Sequence, residues 1–292
     1  MKPSAFAYYD PETLDEAVDL KREHGSDAMI LAGGLSLMPR ISMRLTKPRV
    51  LIDINRIEDL KRVVQNSAYI EVGAGVRQHA VEVHSGVRDR LPLLAEMVTF
   101  IGHAEIRNRG TVGGSISFAD PATELPCASV TLDAEMVVVG PNGTRTVKAP
   151  EFFVGAWVNC LGPDELLAAI RFRAQQADGH GFVELSRRVG ERALASAATQ
   201  MTFAEDGAVA SVSIGVSNIA DRPLRATAAE QMLVGQKPTE ALILSAAQTV
   251  TDQVSNGDDI HATRAYRQHV AGVITARSIR AAVNRSKKGD QS

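Results

Sequence analysis

The chain has 292 residues, 45% hydrophobic and 23% charged, a balance that excludes a disordered polypeptide and leaves room for two globular domains. Its 32 basic residues nearly match its 34 acidic ones, so no broad electrostatic footprint for nucleic acid or an anionic membrane is expected. No run reaches the roughly 18 apolar residues of a membrane span, and Met1-Lys2-Pro3-Ser4-Ala5-Phe6 leads into polar sequence without a signal-peptide core, so a cytoplasmic protein is expected.

In chain order, Thr13-Leu14-Asp15-Glu16 is a capping box that opens a helix ending near Gly25, with Leu14, Ala17, Val18 and Leu20 on one face. Residues 28–32 and 50–54 read as buried strands, with a helix over 36–45 between them, forming a small βαβ-like unit. Ala32-Gly33-Gly34-Leu35-Ser36 thus delivers a Gly-Gly pair and a serine at a strand-to-helix junction, where backbone amides can meet an anion. A strand over 69–73 and helices over 76–83 and 91–100 follow, the latter two on either side of His84-Ser85-Gly86. The dinucleotide fingerprint fails, because Gly73-Ala74-Gly75 is followed by Gln78 where a third glycine is needed.

Next comes Arg107-Asn108-Arg109-Gly110-Thr111-Val112-Gly113-Gly114-Ser115, read as a second loop whose glycines permit positive φ and close approach of a ligand. Either Gly-Gly loop alone is compatible with an ordinary tight turn; together they suggest a cradle for two phosphates. Arg107 and Arg109 could reach phosphate or pair with Glu105. Asp120-Pro121 is a loop-shaping turn, and Glu124 opens a helix over 123–132 whose Leu125, Ala128, Ser129 and Leu132 face inward. Runs 135–139 and 144–147 around Gly140-Pro141-Asn142-Gly143 form a hairpin, and 165–172 is a further strand.

The polar stretch 173–179 marks a domain boundary. Strands over 182–188, 196–204 and 209–216, with Glu205-Asp206-Gly207 as a turn, suggest an antiparallel meander. Helices over 227–234, 239–254 and 262–283 cover it, the last presenting Tyr266, Val270, Val273 and Ile274. Cys127 and Cys160 lie far apart without a Cys-x-x-Cys element, so they read as reduced thiols and cannot ligate an iron–sulfur cluster. The seven histidines lack metal spacing, His103 reads as a loop residue without a proton-transfer role, and no Gly-x-Ser-x-Gly elbow suggests a hydrolase.

Three ordered segments carry a specific likeness: residues 32–39 (Ala-Gly-Gly-Leu-Ser-Leu-Met-Pro), 106–115 (Ile-Arg-Asn-Arg-Gly-Thr-Val-Gly-Gly-Ser) and 119–126 (Ala-Asp-Pro-Ala-Thr-Glu-Leu-Pro). They resemble the FAD-binding medium subunit of the molybdenum hydroxylases, the family of the carbon monoxide dehydrogenase medium subunit and the xanthine dehydrogenase flavin domain. Arg187-Arg188-Val189-Gly190-Glu191-Arg192-Ala193-Leu194-Ala195 resembles that family's C-terminal segment, so the likeness spans nearly the whole chain.

The resemblance implies an α+β fold. A two-lobed FAD-binding domain of the vanillyl-alcohol-oxidase/PCMH type would occupy residues 1–174, with lobes of about 1–55 and 56–174. A C-terminal domain of antiparallel sheet plus helices would occupy 178–286, and 287–292 would be a frayed tail. The resemblance further implies noncovalent FAD, its pyrophosphate held by the two Gly-Gly loops. The implied cofactor-binding set is Leu31, Ala32, Gly33, Gly34, Leu35, Ser36, Leu37, Ile101, Gly102, Thr111, Gly113, Gly114, Ser115, Phe118, Glu124 and Leu167, with no catalytic side chain and no metal ligand. Glu124 could accept from ribityl hydroxyls or simply stabilise its helix start through the dipole.

Leu35, Ser115, Glu124 and Arg192 stand where His or Gln, Asn, Asp and an aromatic are usual in that family. These departures bear on the isoalloxazine environment rather than on the pyrophosphate. Expected partners are a large molybdopterin subunit that hydroxylates a substrate with water and a small subunit whose two [2Fe–2S] clusters relay electrons to this flavin. The whole would be a dimer of heterotrimers, and the flavin would hand electrons to an external acceptor. Two rival readings are a self-contained FAD oxidase or reductase and a non-catalytic nucleotide-binding or docking module.

Overall fold

A computed structural model describes residues 2–174 and 177–289, with the side chains of 287–289 left out. Among the described residues, three larger sheets, a two-stranded ribbon of Phe153–Gly155 with Val158–Asn159, and the helices around them build an α+β molecule. The first sheet is parallel, with Val50–Asp53 flanked by Ala7–Tyr9 and Ala28–Leu31. Helix Leu14–His24 covers it. Thr13 caps that helix in a complete capping box with Glu16, and Ala17 is its fully buried contact. The strand Ala7–Tyr9 has no counterpart in the sequence reading, because its three residues are all exposed and carry no alternating pattern.

The second sheet is antiparallel, in the order Val63–Gln65, Tyr69–Gly73, Leu166–Arg173, Glu135–Gly140, Gly143–Lys148. Its hairpin and its strands over 69–73 and 166–173 match expectation. Helices Gln78–Val83, Ser85–Arg90 and Pro92–Val98 pack beside it. The middle one forms where His84-Ser85-Gly86 reads as a break, because His84 accepts from the Val87 amide and restarts the helix. Val139, Leu166 and Ala168 join the core of the first sheet, so the two sheets share apolar packing.

The third sheet runs Gly179–Leu185, Ala195–Phe203, Val209–Ser217, Leu224–Arg225, all antiparallel. Its first strand begins three residues before the apolar run because two glycines are required in it. A Cβ at Gly179 would lie 2.0 Å from the Ala282 carbonyl oxygen, and one at Gly181 2.4 Å from that of Ser278. Helix Arg264–Gly289 therefore lies directly on the strand. Its buried stripe contains Val270 and Ile274, whereas Val273 is half-buried and Tyr266 is 47% exposed, outside the stripe expected for it. The backbone stays helical through Gly289 where a frayed tail is expected from Lys287; residues 290–292 lie outside the described part, as do 175 and 176 of the polar break.

Between the second and third sheets lies helix Glu124–Thr131, buried at all eight positions. The approach is close: a Cβ at Gly215 would lie 2.0 Å from Thr131 Oγ1. Three ion pairs close the rim of this seam, Arg192 with Asp120, Arg225 with Asp133, and Arg285 with Glu96.

Candidate functional site

The two Gly-Gly segments meet. A Cβ on Gly33 would lie 2.5 Å from the Arg109 carbonyl oxygen and 3.1 Å from Gly110 Cα, so only glycine lets the two backbones touch there. Gly34 follows with φ of +77°, the left-handed conformation expected of it. The next residues enter helix Leu37–Ser42, whose first internal bond runs from the Met38 amide to the Gly34 carbonyl. Among the described residues the amides of Gly33, Gly34, Leu35, Ser36 and Leu37 find no acceptor. Five consecutive uncommitted donors at a strand-to-helix turn are suited to an anion.

The second segment differs from expectation. Residues 104–118 are two short helices, Ala104–Arg109 and Val112–Phe118, rather than an open loop, and neither Gly113 nor Gly114 has positive φ. The Thr111 hydroxyl caps the second helix by accepting from the Gly114 amide at 3.2 Å. The Val112 and Gly113 amides donate to the Val76 and Ala74 carbonyls, each at 2.9 Å. Gly113 is a packing glycine: a Cβ there would fall 2.3 Å from that of Ala74. Gly114 is exposed, and a Cβ on it would face that of Ala32 at 3.9 Å across the gap. The free amides therefore belong to the first segment. The second supplies the opposing wall, the Ser115 hydroxyl and Phe118, whose ring carries the Arg40 guanidinium 5.7 Å from its centroid.

A polar chain that the sequence does not announce pins these walls. Tyr8 donates to Asp53 at 2.8 Å, Asp53 accepts from the Asn55 amide and side chain, and Asn55 Nδ2 donates to the Ala32 carbonyl at 2.8 Å. Arg77 then joins the two segments, donating to Asn55 Oδ1 at 2.7 Å and to the Arg109 carbonyl. Its hydrogen bond to the Asp53 carboxylate pushes the pKa of the Tyr8 hydroxyl up to about 12. Burial, then the Arg109 charge, lowers Arg77 from its ordinary value. Only Asp53 and Asn55 at a strand end hint at this network, through their Asx-turn spacing; Arg77 gives no local signal.

Arg107 pairs with Glu82 at 2.8 Å rather than with Glu105, and this ion pair holds the Glu82 carboxyl below its usual range. Asp120 shapes its turn as expected, accepting from the Ala122 amide at 3.0 Å. Gly102 turns with φ of +49°, and Ile101 is half-buried beside it. Gly190, in the loop between strands Gly179–Leu185 and Ala195–Phe203, packs on this turn, a Cβ there falling 3.0 Å from His103 Cε1 and 3.1 Å from the Gly102 carbonyl. Leu167 is 4% exposed in the central core, beside a bulge in its strand. Glu124 is 6% exposed at the seam, where burial, with the Glu184 and Asp120 charges adding, pushes its carboxyl up to about 8. Both cysteines are free; burial pushes the Cys127 thiol up to about 11. Among the described residues no group of His, Cys, Asp and Glu could hold a metal ion.

Fold and site together define a nucleotide-cofactor protein of the α+β class, with an anion nest walled by a second glycine segment. The family model for the FAD binding domain in molybdopterin dehydrogenase matches residues 4–172, and that for the CO dehydrogenase flavoprotein C-terminal domain matches 180–282. The chain is 34% identical to the carbon monoxide dehydrogenase medium chain of Hydrogenophaga pseudoflava, over 97% of this chain and 98% of that one. It is 36% identical to the caffeine dehydrogenase subunit beta of Pseudomonas sp. strain CBB1, over 98% and 97% respectively. A chain of reconstituted CO dehydrogenase from Oligotropha carboxidovorans superposes with a TM-score of 0.95 at 33% identity, covering 98% of this chain and 100% of that one. The chain belongs to the FAD-binding medium-subunit family of the molybdenum hydroxylases.

Proposed function

We propose that this chain is the electron-exit subunit of a three-subunit molybdenum hydroxylase. A large molybdopterin subunit would oxidise the substrate, and a small subunit would relay electrons through two [2Fe–2S] clusters. The FAD on this chain would pass them to an external acceptor, and two such trimers would assemble as a dimer. FAD would supply two-electron to one-electron redox chemistry; the protein's part is to bind and orient it. The observation that carries the reading is the row of five amides over residues 33–37 that find no acceptor among the described residues, on a turn that Gly33 packs against the Arg109–Gly110 backbone.

In this reading Leu31, Ala32, Leu35, Ser36 and Leu37 line the pyrophosphate side with Gly33 and Gly34. Thr111, Gly113, Gly114, Ser115 and Phe118 form the facing wall. Ile101, Gly102, Glu124 and Leu167 lie toward the flavin. The exposed helix Ala104–Arg109 with His103 is where the iron–sulfur partner would dock. Relatives named for carbon monoxide and for caffeine match this chain equally well, which supports a substrate pocket on another subunit. Two free thiols fit a reducing cytoplasm, and no helix among the described residues is long and apolar enough to cross a membrane.

Titration of the flavin-free chain with FAD tests the reading. Saturable, stoichiometric binding that is lost in Gly34→Ala supports it, and an unchanged stoichiometry in that variant removes the nest assignment.

A further inference from the structure

Helix Glu124–Thr131 places a carboxyl group at the seam between the second and third sheets; its own amide hydrogen-bonds it, the Glu184 and Asp120 charges lie near it, and the Arg192 charge offsets them in part. Across the seam, strand Gly179–Leu185 alternates. Gly181, Val183 and Leu185 face helix Arg264–Gly289, while Phe182 projects into the core of the first domain, its ring meeting Phe100 edge-on at 4.9 Å. Glu184 shares that second face and points toward Glu124. Its Oε2 is buried without a hydrogen-bond partner.

Arg192 stands at the rim, 2.8 Å from Asp120 Oδ2, and its charge offsets the rise at Glu124 only in part; the Cys127 thiol on the same helix is neutral. His269 and Arg277 of helix Arg264–Gly289 line a cavity with Val183, Glu184 and Leu185. His103 faces the Gly190 turn. Among the described residues no cation hydrogen-bonds to either Glu124 or Glu184, and ionising both carboxylates in this buried seam is unfavourable.

We propose that Glu124 and Glu184 act as a proton-holding pair that admits a dianionic cofactor, so that the chain takes up a proton from solvent when FAD binds. The proposal rests on the FAD reading above. A protonated carboxyl both donates and accepts, so Glu124 can hydrogen-bond a ligand hydroxyl while adding no charge beside the pyrophosphate. Burial pushes Glu184 up to about 7 and Glu124 to about 8, so both are partly ionised at pH 8 and an arriving anion draws a proton onto them. Glu184 touches the reaction only through Glu124 and is a positioning residue.

Calorimetric titration of the flavin-stripped, full-length chain with FAD at pH 8, in two buffers of different ionisation enthalpy, counts the protons taken up. Net uptake is expected in the wild type, falling to less than half of that value in Glu184→Gln. Glu124→Gln, which removes the other half of the pair, should lose it similarly. FAD binding without uptake in the wild type, or uptake in either glutamine variant equal to that of the wild type, overturns the proposal. Unfolding of the flavin-free chain reads the pair without FAD. Each raised carboxyl gives stability that is full below the ordinary carboxylate range and lost as pH rises through about 7 and about 8. Glu184→Gln should flatten that loss, and an unchanged slope overturns the pair even if FAD does not bind. Failure of FAD to bind at any pH counts against the FAD reading instead.

Discussion

At the scale of single residues, the four glycines of the two segments have different duties. Gly34 needs its left-handed φ of +77°, so Gly34→Ala should cost roughly 1–2 kcal/mol of local strain and disturb the amide nest. Gly113 needs contact with the Ala74 backbone, so Gly113→Ala should destabilise the whole fold by roughly 1–3 kcal/mol, the usual cost of overpacking. Parallel denaturant melts and FAD titrations separate the two, with Gly34→Ala losing affinity more than stability and Gly113→Ala the reverse. The identical Gly-Gly spelling hides this difference, because φ and the neighbouring backbone are properties of the folded state. Glu124→Ala should weaken FAD binding by roughly 1–3 kcal/mol if its carboxyl meets ribityl hydroxyls. If titration shows unchanged affinity and only the helix start is weakened, the dipole reading holds.

At the scale of elements, the site is built where chain ends are tied together. The Thr111 cap and the Arg77 bridge fix helix Val112–Phe118 against the first Gly-Gly turn. Thr111→Val keeps shape and removes the cap, and should cost about 1 kcal/mol in denaturant unfolding. Arg77→Met removes the bridge to Asn55 and Arg109, and should lower FAD affinity while helix content by circular dichroism is kept. A drop in helix content matching the affinity loss would show Arg77 to be structural only. Elements with local signals were legible in the sequence: the capped helix Leu14–His24, the hairpin of Glu135–Gly140 and Gly143–Lys148, and the meander. Those set by distant partners were not. The helices over 104–118 hide behind glycines that read as a loop, and the strand start at Gly179 depends on a helix a hundred residues further on.

At the scale of the molecule, helix Glu124–Thr131 is enclosed between the second and third sheets, with Arg192, Arg225 and Arg285 reaching Asp120, Asp133 and Glu96. The likeness of residues 32–39, 106–115 and 119–126 named the segments of the proposed site, yet the polar chain from Tyr8 to Arg77 was invisible in the sequence because its members are scattered over seventy positions. Among the described residues no group of His, Cys, Asp and Glu could hold a metal ion, and the proposed reading has the flavin of this chain take its electrons from partner subunits. Rapid-mixing spectroscopy tests this directly by following the flavin absorption after an organic substrate meets either the FAD-loaded free chain or the complex reconstituted with its molybdopterin and iron–sulfur partners. The account predicts fast flavin bleaching in the complex and none in the free chain, whereas bleaching of the free chain at the rate of the complex would contradict it and establish a self-contained flavoenzyme.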